Sequence, residues 1–399
     1  MATTQSFGIV ESWNEWDNLR EVWVGTLQEK NLTPASEPAV ARKLKSYGRY
    51  NWPLRDGLSD EKCLAEAKLQ LEKYIEVLKG EGIVVQRPKP FPTEGEIKTP
   101  LWSIDRMGGF TCPRDLFFVA GKQVVEAPMS WKSRYFENLA WRDLLQSYFT
   151  TDPRMRWSVA PKPKLVRESY ETGVESGKPL NNEIFFDAAD ARRFGKDVLF
   201  QAHYGTANEM GRDWVRRELK AGGVRVHDIE FDEFHFSHLD ARLTPVDEGL
   251  ALFSGMDHPN AAAKALFKEN EWQLLDAGVR TDCRSSSDNC APGIHMNMLT
   301  IAPRVCIVEA NEKKLQKLLS DEGCDVIPID FSACYPWGGG LNCFTLDIYR
   351  QGPAAKCYFP SLDRAAEKQR AKEEAEAEAR KQQVLQGFVP RVAKSRRLK

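Results

Sequence analysis

The chain has 399 residues, 42% of them apolar, and a formal net charge of −1. That length and apolar share suit a sizeable core and exclude global disorder, while the near-neutral balance argues against a nucleic-acid partner, which asks for a basic excess. No apolar run approaches the ~18 residues needed to span a bilayer, so no membrane partner is expected either.

The opening stretch MATTQSFGIVESWNEWD lacks the basic start and apolar segment of a signal peptide. Nor is it Arg-rich and acid-poor like a transit peptide, so a cytoplasmic location is expected. The nine cysteines are Cys63, Cys112, Cys283, Cys290, Cys306, Cys324, Cys334, Cys343 and Cys357. Their odd number, without a C-x-x-C pair, reads as reduced thiols rather than a disulfide framework. Zinc is not expected without paired ligands at short spacing.

Along the chain, short β-like runs alternate with helical patterns. LREVWVG (19–25) reads as the first strand. A helix follows in SDEKCLAEAKLQLEKYIEVLKGEG: Ser59 suits the N-cap, and Asp60 and Glu61 suit the first turn. Leu64, Ala67, Leu71, Ile75 and Leu78 share one face, and Gly80 suits the stop. Strands are then expected at GIVVQRP (82–88) and RDLFFVAG (114–121), a helix over 131–149, and a strand at KDVLFQ (196–201). A helix over 210–220 leads to strands at VRVHDIEF (224–231), GLALFSG (249–255) and RVCIVEA (304–310). A helix over 312–322 and the strand DVIPIDF (325–331) complete the series. The stretch EKKLQKLLSDEGCDVIPIDF echoes AEAKLQLEKYIEVLKGEGIVVQRP, each running helix, Glu-Gly, apolar strand, which points to repeated α/β modules. One domain over 1–361 is expected. Residues 362–399, rich in Ala, Glu, Lys and Arg, read as a charged tail, helical or disordered.

Histidine is scarce: His203, His227, His235, His238, His258 and His295 are the whole set for proton transfer near neutral pH. In DEFHFSHLDARL, His238 and Asp240 lie two apart, so an extended backbone would put them on one face. There they either serve a cationic substrate together or are two surface polar residues. Asp187 follows an apolar triplet and is expected at a strand end facing a cleft. Asp190 has the ordinary reading of a helix N-cap for ARRFG. Asp115 stands just before an apolar strand. In WGGGLNCFTLDIYRQG, Gly338, Gly339 and Gly340 precede Cys343. The glycines either turn the chain beside a buried structural thiol or clear space for a ligand to reach a nucleophile. From the residues alone the reading reaches a thiol enzyme for a cationic substrate.

Several stretches taken together go further. WNEWDNLREVWVG, PRDLFFVAGKQVVEAPMSWKSRYFENLAWRDLLQSYF, WSVAPKPKL, FDAADARRFGKDVLFQ, SHLDARL, MNMLTIAP and GGGLNCFTLDIYRQG occur in order over roughly residues 10 to 355. In these blocks the chain resembles the glycine amidinotransferase family, including the cyanobacterial toxin-pathway amidinotransferases. The resemblance implies a pentein fold, an α/β-propeller of five ββαβ-type modules around a pseudo-fivefold axis. It also implies Cys343 as nucleophile, His238 as proton carrier and Asp187 as its carboxylate, with Asp115 and Asp240 holding the donor's guanidinium. L-Arginine would give its amidino group to a primary amine such as glycine or a specialised-metabolite amine, without metal or other cofactor, in an enzyme that often forms a homodimer. The alternatives are an arginine deiminase-like hydrolase and a non-catalytic guanidino-binding protein on the same fold.

The chain also departs from the family pattern. Where the family binds the donor's α-carboxylate through an arginine, SGMDHP places His258. CRSSSDNCAPGIHMN replaces the family's Ser-Ser-Lys-Trp stretch, displacing Ser285 to Ser287. His235, Phe236 and Ser237 lead into the histidine that the family uses, where the acceptor pocket is shaped, and Asn342 stands where a histidine often precedes the nucleophile.

Overall fold

The computed structural model describes residues 6–27, 37, 61–92, 94–166, 182–202, 206–232, 237–278 and 293–362. Contacts divide the chain into Met1–Tyr358 and Phe359–Lys399, and every element below lies in the first unit. In chain order these are β1 (Asn18–Val24), α1 (Glu61–Gly80), β2 (Val84–Gln86) and a small ladder of β3 (Ile97–Lys98) with β4 (Ser103–Ile104). Then come β5 (Phe117–Ala120), β6 (Gln123–Glu126), α2 (Arg142–Thr151) and β7 (Arg156–Val159), followed by β8 (Ala191–Phe194), β9 (Asp197–Phe200), α3 (Glu209–Lys220) and β10 (Arg225–Asp228). β11 (Leu243–Asp247), β12 (Leu250–Phe253), α4 (Ala261–Glu269) and β13 (Gln273–Asp276) precede β14 (Leu299–Ala302), β15 (Val305–Glu309), α5 (Lys313–Asp321) and β16 (Asp325–Ile329). β17 (Thr345–Gln351) is the last.

Five three-stranded sheets share one plan. A first strand pairs antiparallel with a second, the chain leaves through a helix, and it returns as a third strand parallel to the second. Such a parallel return needs a crossover, which the helix supplies. The plan holds for β5–β6–β7, β8–β9–β10, β11–β12–β13 and β14–β15–β16. In the remaining module the first strand comes from the far end of the sequence: β17 pairs antiparallel with β1, which runs parallel to β2 after α1. This is the pentein arrangement of five ββαβ modules that the resemblance implies.

Local chemistry explains the plan. Gly121 and Gly195 sit at the tips of the β5–β6 and β8–β9 hairpins with φ of 60° and 67°, a conformation glycine adopts without a steric cost. Helix α1 buries Leu64, Ala67, Leu71, Ile75 and Leu78, the face expected from its spacing, at about 1.5–3 kcal/mol for each fully buried Leu or Ile. Tyr74 on that face donates its hydroxyl to the Leu341 carbonyl at 3.1 Å, which ties the helix to the loop ahead of Cys343. The expected cap residues Ser59 and Asp60 lie outside the described residues.

Three expectations are corrected. The helix over 131–149 is regular only from Arg142, because short turns at Lys132–Arg134 and Glu137–Trp141 bend the chain. Those turns let Arg134 and Glu137 pair in the interior. The strand expected from 114 begins at Phe117, since Pro113–Leu116 form a single helical turn. Asp190 caps no helix. ARRF is strand β8, and the Asp190 carboxylate accepts from Gln201 Nε2 (2.6 Å) and Thr206 Oγ1 (2.7 Å).

Candidate active site

Each module enters its first strand through a short turn, and those turns carry the candidate site side chains. Asp115 is in the helical turn before β5, and Asp187 caps the turn Ala188–Asp190 before β8. His238 and Asp240 flank and occupy the turn Leu239–Ala241 before β11, and Asn297 follows Ile294–Met296 before β14. Cys343 stands two residues before β17. Successive turns touch one another, so the five modules deliver these groups to one place. His238 and Asp240 therefore do not share an extended face, as two-residue spacing suggested. A turn separates them, and tertiary packing brings both inward.

The Cys343 thiol is buried and donates to Asp240 Oδ2 at 3.1 Å. Asn297 Nδ2 donates to the sulfur at 3.1 Å and to Asp240 Oδ2 at 2.9 Å, while Asn297 Oδ1 accepts from the Cys343 backbone N–H at 2.9 Å. Asn342 Nδ2 adds a further bond to Asp240 Oδ2, 2.9 Å. The glycine run matters by what it leaves out. A β-carbon on Gly339 would stand 3.0 Å from the Cys343 sulfur, and one on Gly340 would collide with Asn297.

Across from the thiol, His238 is bracketed by carboxylates. Its Nε2 lies 3.1 Å from Asp187 Oδ2 and its Nδ1 3.5 Å from Asp115 Oδ1. Asp187 Oδ1 accepts from the Ser130 backbone N–H (3.2 Å) and hydroxyl (3.0 Å). Arg134 donates to Asp115 Oδ2 at 2.7 Å and, through Nε, to both Glu137 oxygens at 3.1 and 3.0 Å. Asp115 Oδ1 and Asp240 Oδ1, both buried, have no hydrogen-bond partner among the described residues.

Burial alone would discharge His238, but Asp115, the bond to Asp187, and Asp190 raise its pKa from 6.5 to about 10. The ring is an imidazolium at neutral pH, and its Nε2 donates to Asp187 Oδ2. Burial likewise pushes Asp187 and Asp240 up, yet both end below the usual carboxylate range. The His238 hydrogen bond and charge, with Arg134, overcome it at Asp187. Arg192, His238 and the bonds from Cys343 and Asn342 overcome it at Asp240. Asp115 ends raised, because burial outweighs the pull of His238 and Arg134. The Cys343 thiol is held well above its ordinary value by a hydrogen bond with Cys112, by burial and by the charges of Asp240 and Asp115. Without a cation beside it, the sulfur keeps its proton.

The structure thus brings together Cys343, His238, Asp187, Asp115 and Asp240. Ser237 is buried beside them, but its hydroxyl accepts from Arg242 Nε at 2.9 Å. Arg242 also lies 3.4 Å from Asp257, the neighbour of His258. The His258 ring itself packs 5.9 Å from that of Phe253. His235 and the segment with Ser285 to Ser287 lie outside the described residues. Sequence reasoning did not single out Asn297, Arg134, Glu137, Ser130 or Arg242. All five sit in the quoted blocks as polar residues next to apolar runs, where nothing local marks them off from surface groups. Among the described residues no group of three His, Cys, Asp or Glu is arranged to hold a metal ion, and no helix is long and apolar enough to cross a membrane.

Known proteins similar to this chain in sequence include amidinotransferases. A putative inosamine-phosphate amidinotransferase of Streptomyces griseus is 32% identical over 85% of this chain and 96% of its own. The mitochondrial glycine amidinotransferase of Xenopus tropicalis is 33% identical over 87% and 84%. The chain belongs to the amidinotransferase family. Among solved structures, an amidinotransferase of the saxitoxin biosynthetic pathway from Microseira wollei matches with a TM-score of 0.75 at 30% identity, covering 88% of this amidinotransferase and 99% of that chain. No family model matches the chain. The amidinotransferase assignment fits a site that gathers carboxylates around one thiol and one imidazolium.

Proposed function

We propose that this amidinotransferase takes the amidino group of L-arginine, releases L-ornithine, and passes the group to a primary amine through a covalent intermediate on Cys343. The observation that carries the reading is the pair of partnerless buried oxygens, Asp115 Oδ1 and Asp240 Oδ1. A buried acceptor without a donor is costly. A planar guanidinium repays both at once with charge-assisted bonds and lies against the sulfur that Asp240 already touches. Its positive charge also offsets the carboxylates that hold the thiol protonated, so donor binding makes the thiolate.

Cys343 sulfur then attacks the guanidinium carbon, and Asp115 and Asp240 keep the plane fixed for that approach. His238, charged and held by Asp187, protonates the nitrogen of the departing amine. The C–N bond to ornithine breaks as the C–S bond forms, and in the net balance the proton lost by the thiol leaves on ornithine. The acceptor amine enters and attacks the amidino carbon, His238 takes its proton, the C–S bond breaks, and a proton returned to sulfur restores the thiol. The acceptor is glycine or an amine of specialised metabolism, bound near Ser237 and His235, with His258 on the donor's carboxylate.

The experiment is incubation with arginine, with and without an amine, followed by product mass. Ornithine that accumulates only in step with an amidinated acceptor supports transfer. Citrulline made at the same rate without an amine would refute it in favour of hydrolysis.

A further inference from the structure

Cys112 plays no part in that chemistry, yet it faces the nucleophile. It is the residue ahead of the turn Pro113–Leu116, which carries Asp115, and it is 2% exposed; Cys343 is 4% exposed. A β-carbon on Gly339 would stand 3.0 Å from the Cys112 sulfur and 3.0 Å from the Cys343 sulfur, so the two thiols flank one methyl-sized space that a glycine keeps open. Cys112 is also the first of the neighbours that hold the Cys343 thiol above its ordinary pKa. The backbones are stitched on both sides of this pair. Thr111 Oγ1 donates to the Trp337 carbonyl at 3.2 Å, and Arg114 Nε donates to the carbonyls of Asn342 (2.9 Å) and Thr345 (3.1 Å). Disulfides require that Cα atoms stand close and that the Cβ vectors converge; here the flanking bonds hold the two segments side by side, and both sulfurs stand 3.0 Å from one point beside Gly339.

We propose that Cys112 is the resolving thiol of Cys343, so that a hydroperoxide reaching the site converts the pair to a reversible disulfide that switches amidino transfer off. In the first step Cys343 sulfur attacks the peroxide. The O–O bond breaks, one oxygen stays on sulfur as sulfenic acid, and hydrogen peroxide's other oxygen leaves as water. In the second step Cys112 sulfur displaces that oxygen, which leaves as a second water, and the S–S bond forms. The two thiols are oxidised by two electrons and the peroxide is reduced by two. Because the reactive form is the thiolate, crosslinking is slow near neutral pH and accelerates as pH rises. A sulfur held in the disulfide cannot attack a guanidinium, and it is also spared irreversible oxidation to sulfinic acid. The consequence for activity rests on the reading above, whereas the crosslink does not.

The test exposes the full chain to hydrogen peroxide at several pH values, caps remaining thiols with N-ethylmaleimide and maps peptides without reductant. The expected result is a Cys112–Cys343 peptide growing in proportion to the loss of amidino transfer, both reversed by dithiothreitol. In Cys112→Ser the same treatment should leave sulfenic or sulfinic acid on Cys343 and a loss that dithiothreitol restores only in part. Cys306 and Cys324, another pair of buried thiols that influence each other, serve as an internal comparison, since a crosslink there leaves transfer unchanged. The proposal is overturned if the wild type shows no Cys112–Cys343 peptide while Cys343 is oxidised. It is overturned equally if wild type and Cys112→Ser accumulate the same irreversible products. Should Cys112→Ser fail to fold, the wild-type map and its reversal by reductant still decide the matter.

Discussion

Asn297 and Cys343 are joined twice, the carboxamide oxygen accepting from the Cys343 backbone N–H and the carboxamide nitrogen donating to the sulfur, at 2.9 and 3.1 Å. The same nitrogen reaches Asp240 Oδ2 at 2.9 Å, so the proposed nucleophile and the carboxylate proposed to hold the guanidinium hang on one side chain. Asn297→Ala should keep its fold and lose roughly ten- to a hundredfold in kcat, from hydrogen bonds of about 1–3 kcal/mol. Asn297→Asp should be worse, because a carboxylate beside the thiol disfavours the thiolate further. Steady-state kinetics on folded variants check this, and an unchanged kcat in Asn297→Ala would remove the residue from the account.

His238 should carry its charge well past neutrality. Burial favours the neutral ring, but Asp115, Asp187 and Asp190 win and lift its pKa from 6.5 to about 10. A folded value above the unfolded one stabilises the fold fully below about pH 6.5, and that contribution is lost as pH rises through about 10. NMR of labelled histidine should show the imidazolium across the neutral range, and Asp187→Asn should draw its titration back toward the ordinary value. Titration near 6.5 in the wild type would contradict the geometry.

Glu15 is the opposite case. It lies buried against Arg193 at 2.8 Å, Arg114 at 3.4 Å and Arg192 at 3.5 Å. Burial raises its pKa, but Arg193, Arg192 and Arg114 overcome that and hold it at about 2 instead of 4.5. Its contribution to stability is therefore present above about pH 4.5 and is lost as pH falls through about 2. Glu15→Gln leaves the buried Arg114 and Arg193 with Asp347 as their remaining ion-pair partner among the described residues and should cost about 3–5 kcal/mol at neutral pH. Denaturant unfolding should show the gap to wild type narrowing in acid. A gap that widened there would show that the carboxylate is not the ionised partner.

Gly339→Ala places a methyl group against the Cys343 side chain and the Cys112 sulfur. The nucleophile must shift, and a displacement of about 1 Å is enough to lose roughly a hundredfold in rate. Stopped-time assays should show kcat falling far more than KM rises. Wild-type kcat in this variant would mean that the sulfur tolerates movement the mechanism forbids.

Much of the scaffold was legible because its apolar signals are local. Helix α1 and strands β9, β12, β15 and β16 follow the spacing and β-branched runs that mark them. Strand β8 was not legible, since Arg192 and Arg193 look exposed in sequence. They are buried because Glu15 and Asp347, 178 and 154 residues from Arg193, neutralise them. The site was legible through its family blocks rather than through periodicity. What the blocks did not convey was geometry. Entry turns before β8, β11 and β14 depend on neighbouring modules, so Asp190 looked like a helix cap and Asn297 like an ordinary polar residue before a strand. Cys112 had no signal of its own, because its meaning comes from the sulfur it meets across the chain.

The most direct test of the central claim is the intact mass of the protein quenched after exposure to arginine alone. Wild type should gain one amidino group, mapped to Cys343, with ornithine released in equal amount, and Cys343→Ala should gain nothing. Release of ornithine by Cys343→Ala, or turnover by wild type with an amidino adduct at no stage, would contradict covalent transfer through that sulfur.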